Sequence, residues 1–220
     1  MQTLRLYVLA DIHSPDYFVM PEISADQYDM VLTLGDIDEG TLDYIIHMSR
    51  EVPIYGVPGN HDRHALPGVT NLHGKVIEHN GIRIGGIGGA RKYKNHPYHY
   101  TEREMASKMR RLAAADIIIS HAPPLLTSLK EDPIHQGFPA FDHYILKHSP
   151  QYWIHGHLSK NLRDQAYQTK VIGVRERMPL QLSVTPKEDE QKQDFSSLLG
   201  LKSPNRSSRL ATLLTLFFPK

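Results

Sequence analysis

Short apolar runs that each stop at a polar residue set the rhythm of this chain. Residues 4–10 are β-rich and end at Asp11-Ile12-His13; residues 30–34 end at Gly35-Asp36; residues 52–57 end at Pro58-Gly59-Asn60-His61-Asp62. Runs of this length, closed by Gly, Pro, Asn or Asp, predict buried strands. Between the second and third, Leu42, Ile45 and Ile46 recur at helical spacing and predict a helix over 39–50 packed on the sheet. Residues 14–27 have no such period and predict a loop with at most one helical turn.

Asn80-Gly81 lies between two β-rich runs and predicts a tight hairpin over 76–89. The glycines at 85, 86, 88 and 89 lack the Gly-Lys-Ser/Thr of a phosphate loop and the spacing of a dinucleotide fingerprint, so they mark close backbone approach. Residues 91–100 form a basic, aromatic, histidine-rich loop. Thr101-Glu102-Arg103-Glu104 has the form of a capping box, and Met105, Met109, Leu112 and Ala113 give the helix behind it a core-facing stripe. A strand over 116–120 ends at His121, a helix covers 139–148, and a short strand over 152–154 ends at His155-Gly156-His157. Trp153 in that strand reads as core. Strands at 170–174 and 180–184 complete a domain over 1–185. Residues 186–220 turn polar and predict a disordered tail, whose apolar end at 210–218 is too short to cross a bilayer.

Composition narrows the class. At 220 residues, 40% hydrophobic and 22% charged, the chain suits one soluble domain with a sizeable core. A net charge of +1 gives no general electrostatic reason to bind long nucleic acid or a membrane surface. The absence of cysteine excludes disulfides, thiolate nucleophiles and Cys-ligated zinc. The first residues lead directly into a strand, without a signal peptide, and no apolar stretch reaches membrane-spanning length; a cytoplasmic protein is expected.

Five predicted strand ends carry polar groups: Asp11 and His13, Asp36, Asn60 and His61, His121, and His157. Open α/β sheets bind ligands beyond the carboxyl ends of their strands. One Asp or His there is ordinary capping; five in succession are not. Two carboxylates, an amide and several imidazoles make an oxygen/nitrogen ligand set for Mn, Fe, Zn or Ni. Seven or eight donors exceed the need of one such ion and suit two ions sharing a carboxylate.

The order Asp-x-His, Gly-Asp, Gly-Asn-His-Asp, His, Gly-His resembles the calcineurin-like metallophosphoesterase family over roughly residues 4–184. Residues 88–91, 100–105, 120–124 and 132–138 are similar to a bacterial phosphodiesterase-type branch of it. The resemblance implies an α/β fold, a four-layer α/β/β/α sandwich, with two divalent metal ions at the strand ends, manganese foremost and Fe, Zn or Ni as alternatives. Asp11 and His13 would hold the first ion, Asp36 would bridge both, and Asn60, His121 and His157 would hold the second. His61 matches the family's non-ligand histidine, which contacts the scissile phosphate or protonates the leaving group, with Asp38 or Glu39 to orient it. Asn60, His61, Arg91 and His135 are the implied substrate contacts, although a solvated basic loop is the plainer reading of Arg91 and its neighbours and a surface loop an equal reading of His135.

The implied reaction is in-line attack of a metal-bridging hydroxide on a small, nucleotide-like phosphoester, most simply a phosphodiester. One position departs from the family. Its last motif is Gly-His-x-His, and this chain has Gly156-His157-Leu158-Ser159. A neutral hydroxyl replaces imidazole poorly, which implies a weakened first metal site. His155 should not compensate, because strand alternation turns it away. The alternative is a low-activity or non-catalytic metal- or nucleotide-binding protein, or a scaffold. The expected partner is a small phosphoester; oligomeric state is left open.

Overall fold

Alternation along the first strand decides the layering. In β1 (Gln2–Ala10), Leu4, Leu6, Val8 and Ala10 join one core cluster, while Tyr7 and Leu9 join another. A strand apolar on both faces must be covered on both. The computed structural model describes residues 1–13, 23–49, 51–64, 68–128 and 135–187. Residues 14–22 of the predicted loop at 14–27, Arg50 at the end of the predicted first helix, and the tail from 188 lie outside those residues.

After β1 come β2 (Met30–Thr33), α1 (Glu39–Met48), β3 (Ile54–Gly56), β4 (Thr70–Asn71), β5 (Lys75–His79) and β6 (Ile82–Ile87). Then follow β7 (Ala90–Arg91), β8 (His99–Tyr100), α2 (Glu102–Arg111), β9 (Ile117–Ser120), α3 (Pro139–His148) and β10 (Tyr152–His155). The last strands are β11 (Leu162–Ala166), β12 (Thr169–Gly173) and β13 (Glu176–Val184). One sheet has the order β13-β1-β2-β3-β4, the other β11-β12-β10-β9-β6-β5. The inner faces meet through Leu6, Val8, Leu32, Ile84, Ile119 and Ile154. Leu42 and Ile45 of α1 pack on the outer face of the first sheet, against Leu9 and Val31. Met105, Phe141 and Tyr144 of α2 and α3 pack on the outer face of the second, against Ile118 and Trp153. The result is the four-layer α/β/β/α sandwich.

What this topology does for function lies in strand direction. β1 through β4 pair in parallel, and so do β6, β9, β10 and β12; the antiparallel strands β13, β5 and β11 sit at sheet edges. Parallel strands deliver all their carboxyl ends to one side. The loops after β1, β2, β3, β9 and β10 therefore share an edge.

Local signals explain most of the elements. Asn80 (φ 50°) and Gly81 (φ 79°) both take the left-handed conformation that a two-residue hairpin needs. The capping box at α2 is complete: Thr101 Oγ1 accepts from Glu104 N–H, and Glu104 Oε2 accepts from Thr101 N–H. Trp153 is fully buried and donates its indole N–H to Ser120 Oγ (2.8 Å). β11 was not predicted, because Leu-Arg-Asp-Gln-Ala has no apolar alternation; it exists through its ladder with β12. Two-residue β7 and β8 place a backbone pairing inside the predicted loop at 91–100.

His73 has a partner logic that its sequence neighbours do not reveal. Its Nδ1 accepts from Gly88 N–H (2.9 Å), so in the neutral ring Nε2 carries the proton, toward Tyr100 OH at 3.3 Å. Burial, and then the charge of Lys108, push it down to about 4. The folded pKa is thus depressed below the unfolded ~6.5. Stability carried by neutral His73 is present above pH ~6.5 and lost as pH falls toward 4, up to about 3 kcal/mol. His73→Gln is expected to flatten the fall in melting temperature between pH 6.5 and 4.5. An unchanged slope would mean that the ring is not held neutral.

Candidate metal centre

Three of the strand ends turn through an uncommon backbone conformation. Asp11 after β1, Asp36 after β2 and His157 after β10 have φ of 54°, 55° and 56°. Non-glycine residues with positive φ persist where surrounding structure over-determines them, and they cluster at functional sites. The bends point these side chains toward one another instead of along their strands. Glycines permit the close fit: at Gly35 (φ 92°) a Cβ would lie 2.1 Å from Gly59 N, and at Gly59 one would lie 2.1 Å from Asp36 Oδ1.

Hydrogen bonds lock the turns together. Asp11 N–H donates to Gly35 O (3.1 Å), and Asp11 Oδ2 accepts from His157 N–H (2.7 Å), tying the first sheet to the second. Asp36 Oδ1 accepts from His61 N–H (2.7 Å). Asp62 Oδ2 accepts from both Gly59 N–H (2.7 Å) and Asp36 N–H (3.1 Å), fastening the β3 turn to the β2 turn. His121 is fully buried; its Nδ1–H donates to Leu34 O (2.7 Å), which leaves Nε2 facing Asn60 Oδ1 at 2.8 Å and Asp36 Oδ2 at 3.3 Å. Asn60 donates its Nδ2–H to Tyr93 OH (3.2 Å), which turns its amide oxygen inward.

One ligand atom from each of Asp11, Asp36, His121 and His157 falls within 4.8 Å of the others. Burial would raise Asp36, but the His121 charge and hydrogen bond outweigh it and hold the carboxyl well below the usual range. His121 moves the opposite way: burial would lower it, and the charges of Asp36 and Asp11 raise it above the ordinary imidazole value. Asp11 and Asp62 are both pushed up, chiefly by burial. Buried acids of this density call for a counter-cation. Two carboxylates and two imidazoles, with an amide oxygen beside them, fit a Mn, Fe, Zn or Ni ion, and an outer carbonyl that fixes the ring of His121 is what a ligating histidine needs.

The structure therefore brings together Asp11, Asp36, Asn60, His121 and His157. His13 does not join the four-donor group; it is exposed, with its ring 6.1 Å from that of His61. His135 does come in, its ring 4.7 Å from that of His157. Arg91 does not line the cleft: its guanidinium donates to Gln136 Oε1, so it braces the residue beside His135. Asp38 caps α1 through Oδ1, which accepts from Thr41 N–H, while its Oδ2 is buried without a hydrogen-bond partner among the described residues. Glu39 is exposed in the first turn of α1. His155 is fully buried and faces its own Gly156 O.

Two clefts meet at this edge. A cleft of ≈210 Å³ runs over Asp11, Asn60, His157 and Ser159, and one of ≈440 Å³ runs over Asp38, Glu39, Asp62 and Arg63; Asp36, His13 and His61 border both. Sequence reasoning assigned no particular role to Asp62, although it stands in the Gly-Asn-His-Asp motif itself, and read Tyr93 only as part of the basic, aromatic loop at 91–100. Arg175 arrives on a distant loop, and no local signal marks it.

Fold and donor set together define a metalloprotein with its site at the strand ends of a four-layer sandwich. The model of the calcineurin-like phosphoesterase family matches residues 4–160, and the chain belongs to that family. It is a metal-dependent phosphoesterase, a hydrolase of phosphoric esters, with a small phosphoester as substrate. It is 24% identical to an uncharacterized protein of Haemophilus influenzae, over 73% of this chain and 84% of that one. Among solved structures it is similar to the protein TT1561 of Thermus thermophilus, with a TM-score of 0.54 and 14% identity over 80% of this chain and 90% of that one. A putative 5'-nucleotidase of Staphylococcus aureus has a TM-score of 0.49 and 17% identity, over 90% of this chain and 58% of that longer one. No helix among the described residues is long and apolar enough to cross a membrane.

Proposed function

We propose that this phosphoesterase is a phosphodiesterase acting on a small, nucleotide-like ester, with His61 as the group that serves the leaving oxygen. The observation that carries the reading is the pair of clefts meeting at Asp36, His13 and His61. A diester has an arm on each side of its phosphorus, and two clefts diverging from one phosphate position suit two arms. Asp11, Asp36, Asn60, His121 and His157 would hold the metal, with His13 completing the first site by rotation of its exposed side chain. When bound, divalent ions lower the pKa of water and offset phosphoryl charge.

The chain's own residues do the remainder. His61 is exposed on the cleft while its backbone N–H is held by Asp36 Oδ1, so the ring is anchored at its base and presented at its tip. It would donate a proton to the leaving oxygen. Asp38 and Glu39 share a cleft with it; Asp38 is the better orienter, because its Oδ2 is buried and unsatisfied. His135, its ring tilted against that of His157, would contact the ester beside the metal. Location in the cytoplasm and manganese as the working ion belong to the same reading.

A second reading rests on Ser159. Exposed at the cleft, it offers only a hydroxyl where the family pattern has imidazole. A weak first site would make a slow or metal-demanding enzyme, or a binding protein. Turnover of bis-p-nitrophenyl phosphate, measured as Mn²⁺ is titrated into metal-stripped protein, separates the two. The enzyme reading expects turnover that saturates late in Mn²⁺, with Ser159→His saturating at a Mn²⁺ concentration lower by about 10-fold or more. A native protein inert at every Mn²⁺ concentration, beside an active variant, would establish the binding reading.

A further inference from the structure

Arg175 is the one lysine or arginine lining the metal cleft among the described residues. It sits between β12 and β13, 139 positions after Asp36 (175 − 36). Arg175 shares this cleft with Asp11, Asp36, Asn60 and His157 and with Ser159.

Two hydrogen bonds fold the arginine over the loop that carries Ser159. Its backbone N–H donates to Asn161 Oδ1 (2.6 Å), and its Nη1–H donates to Ser159 O (2.9 Å). The competing contact is Glu176 Oε1, 3.6 Å from Nε, with both side chains largely exposed (43% and 63%). An exposed pair at that distance contributes little and does not hold the guanidinium away from the cleft. A guanidinium cannot coordinate a metal ion, since it has donors only. Beside the metal-ligating acids the guanidinium would be expected to pair with one of them, yet its hydrogen bond goes to the Ser159 carbonyl and its ion pair to Glu176. Donors pinned at a cleft and not spent on its acids suit an anion that enters from outside. The fork of a guanidinium matches phosphate oxygens two at a time.

We infer that Arg175 binds the phosphate group of the substrate, beside Ser159, which offers no imidazole. The inference rests on the phosphoesterase reading of this site, and it assigns Arg175 a substrate-binding role that sequence motifs do not mark. Arg175 would supply positive charge to the phosphate in the cleft it shares with Asp11 and Asp36, and so partly offset a weak first metal site.

The test is calorimetric titration of inorganic phosphate into Mn²⁺-loaded native protein, Arg175→Gln and Arg175→Lys, with Mn²⁺ content measured in each. Gln keeps a donor for Ser159 O but no charge; Lys keeps the charge but not the fork. We expect Arg175→Gln to weaken phosphate binding by about 10–100-fold, as loss of charged hydrogen bonds does. Arg175→Lys should recover part of that, with Mn²⁺ content unchanged throughout. Phosphate affinity in Arg175→Gln within about twofold of native would overturn the assignment, and so would loss of Mn²⁺ from the Gln variant, which would make Arg175 a support of the metal loop. If native protein turns over bis-p-nitrophenyl phosphate and the Gln variant binds phosphate equally well, only the Arg175 assignment fails. If Mn²⁺-loaded native protein neither binds phosphate nor hydrolyses the ester, the phosphodiesterase reading fails with it.

Discussion

Replacing His61 with alanine is expected to lower turnover by about 10²–10⁴-fold, the range for removing a positioned acid, while bound metal stays at the native level. The separation follows from how the residue is held. Its structural duty is carried by a backbone N–H, which donates to Asp36 Oδ1 and survives the substitution. Its side chain is exposed and is absent from the four-donor group, so neither folding nor the metal cluster depends on it. The diagnostic comparison is kcat on a diester with an alkyl leaving group beside the Mn²⁺ content of the same preparation. Parallel loss of both would make His61 a ligand. Retention of full turnover would leave the leaving oxygen without its proposed partner. A leaving group that needs no protonation, p-nitrophenolate, should show a smaller loss than an alkyl leaving group, because only the latter demands the proton.

Asp36→Asn is expected to remove metal binding. The substitution keeps the shape and an acceptor for His61 N–H, and it removes the charge that holds His121 in its ion pair. Outer-shell partners alone are worth about 10–100-fold in metal affinity, and a direct carboxylate ligand is worth at least that. Mn²⁺ should raise the melting temperature of native protein, because an ion that binds only the folded state stabilises it; in Asp36→Asn that rise should vanish. Turnover should vanish with it at Mn²⁺ concentrations that saturate the native enzyme. A variant that keeps the Mn²⁺-dependent rise would place the ion elsewhere. Loss of fold without metal would instead show that the Asp36–His121 pair is structural, since removing one member of a buried pair is strongly destabilising.

Much of this site is legible in the linear chain, and the reason is topological. Apolar runs ending at Asp11, Asp36, Asn60, His121 and His157 announce strands, and parallel strands are obliged to present their carboxyl ends on one edge. Period-2 alternation likewise explains why His155 is buried away from the cluster while His157, past the strand and bent by a positive φ, enters it. The Thr101 capping box and the Asn80-Gly81 turn are visible because their partners lie within three residues.

The side chains around these donors were less legible. Tyr93 orients Asn60 from 33 positions away, Asp38 is committed through one oxygen to capping a helix, and Arg91 turns to Gln136 instead of the cleft. Loop side chains take their direction from turn dihedrals and long-range hydrogen bonds, which have no period to read. The sequence by itself thus determined the family, the sandwich and the strand-end donors, because strand patterning and pairing are repetitive and local. Only the tertiary structure decided that His13 stands outside the four-donor group and that Arg175 lines the cleft of the metal ligands, because those positions depend on contacts between segments far apart in the chain.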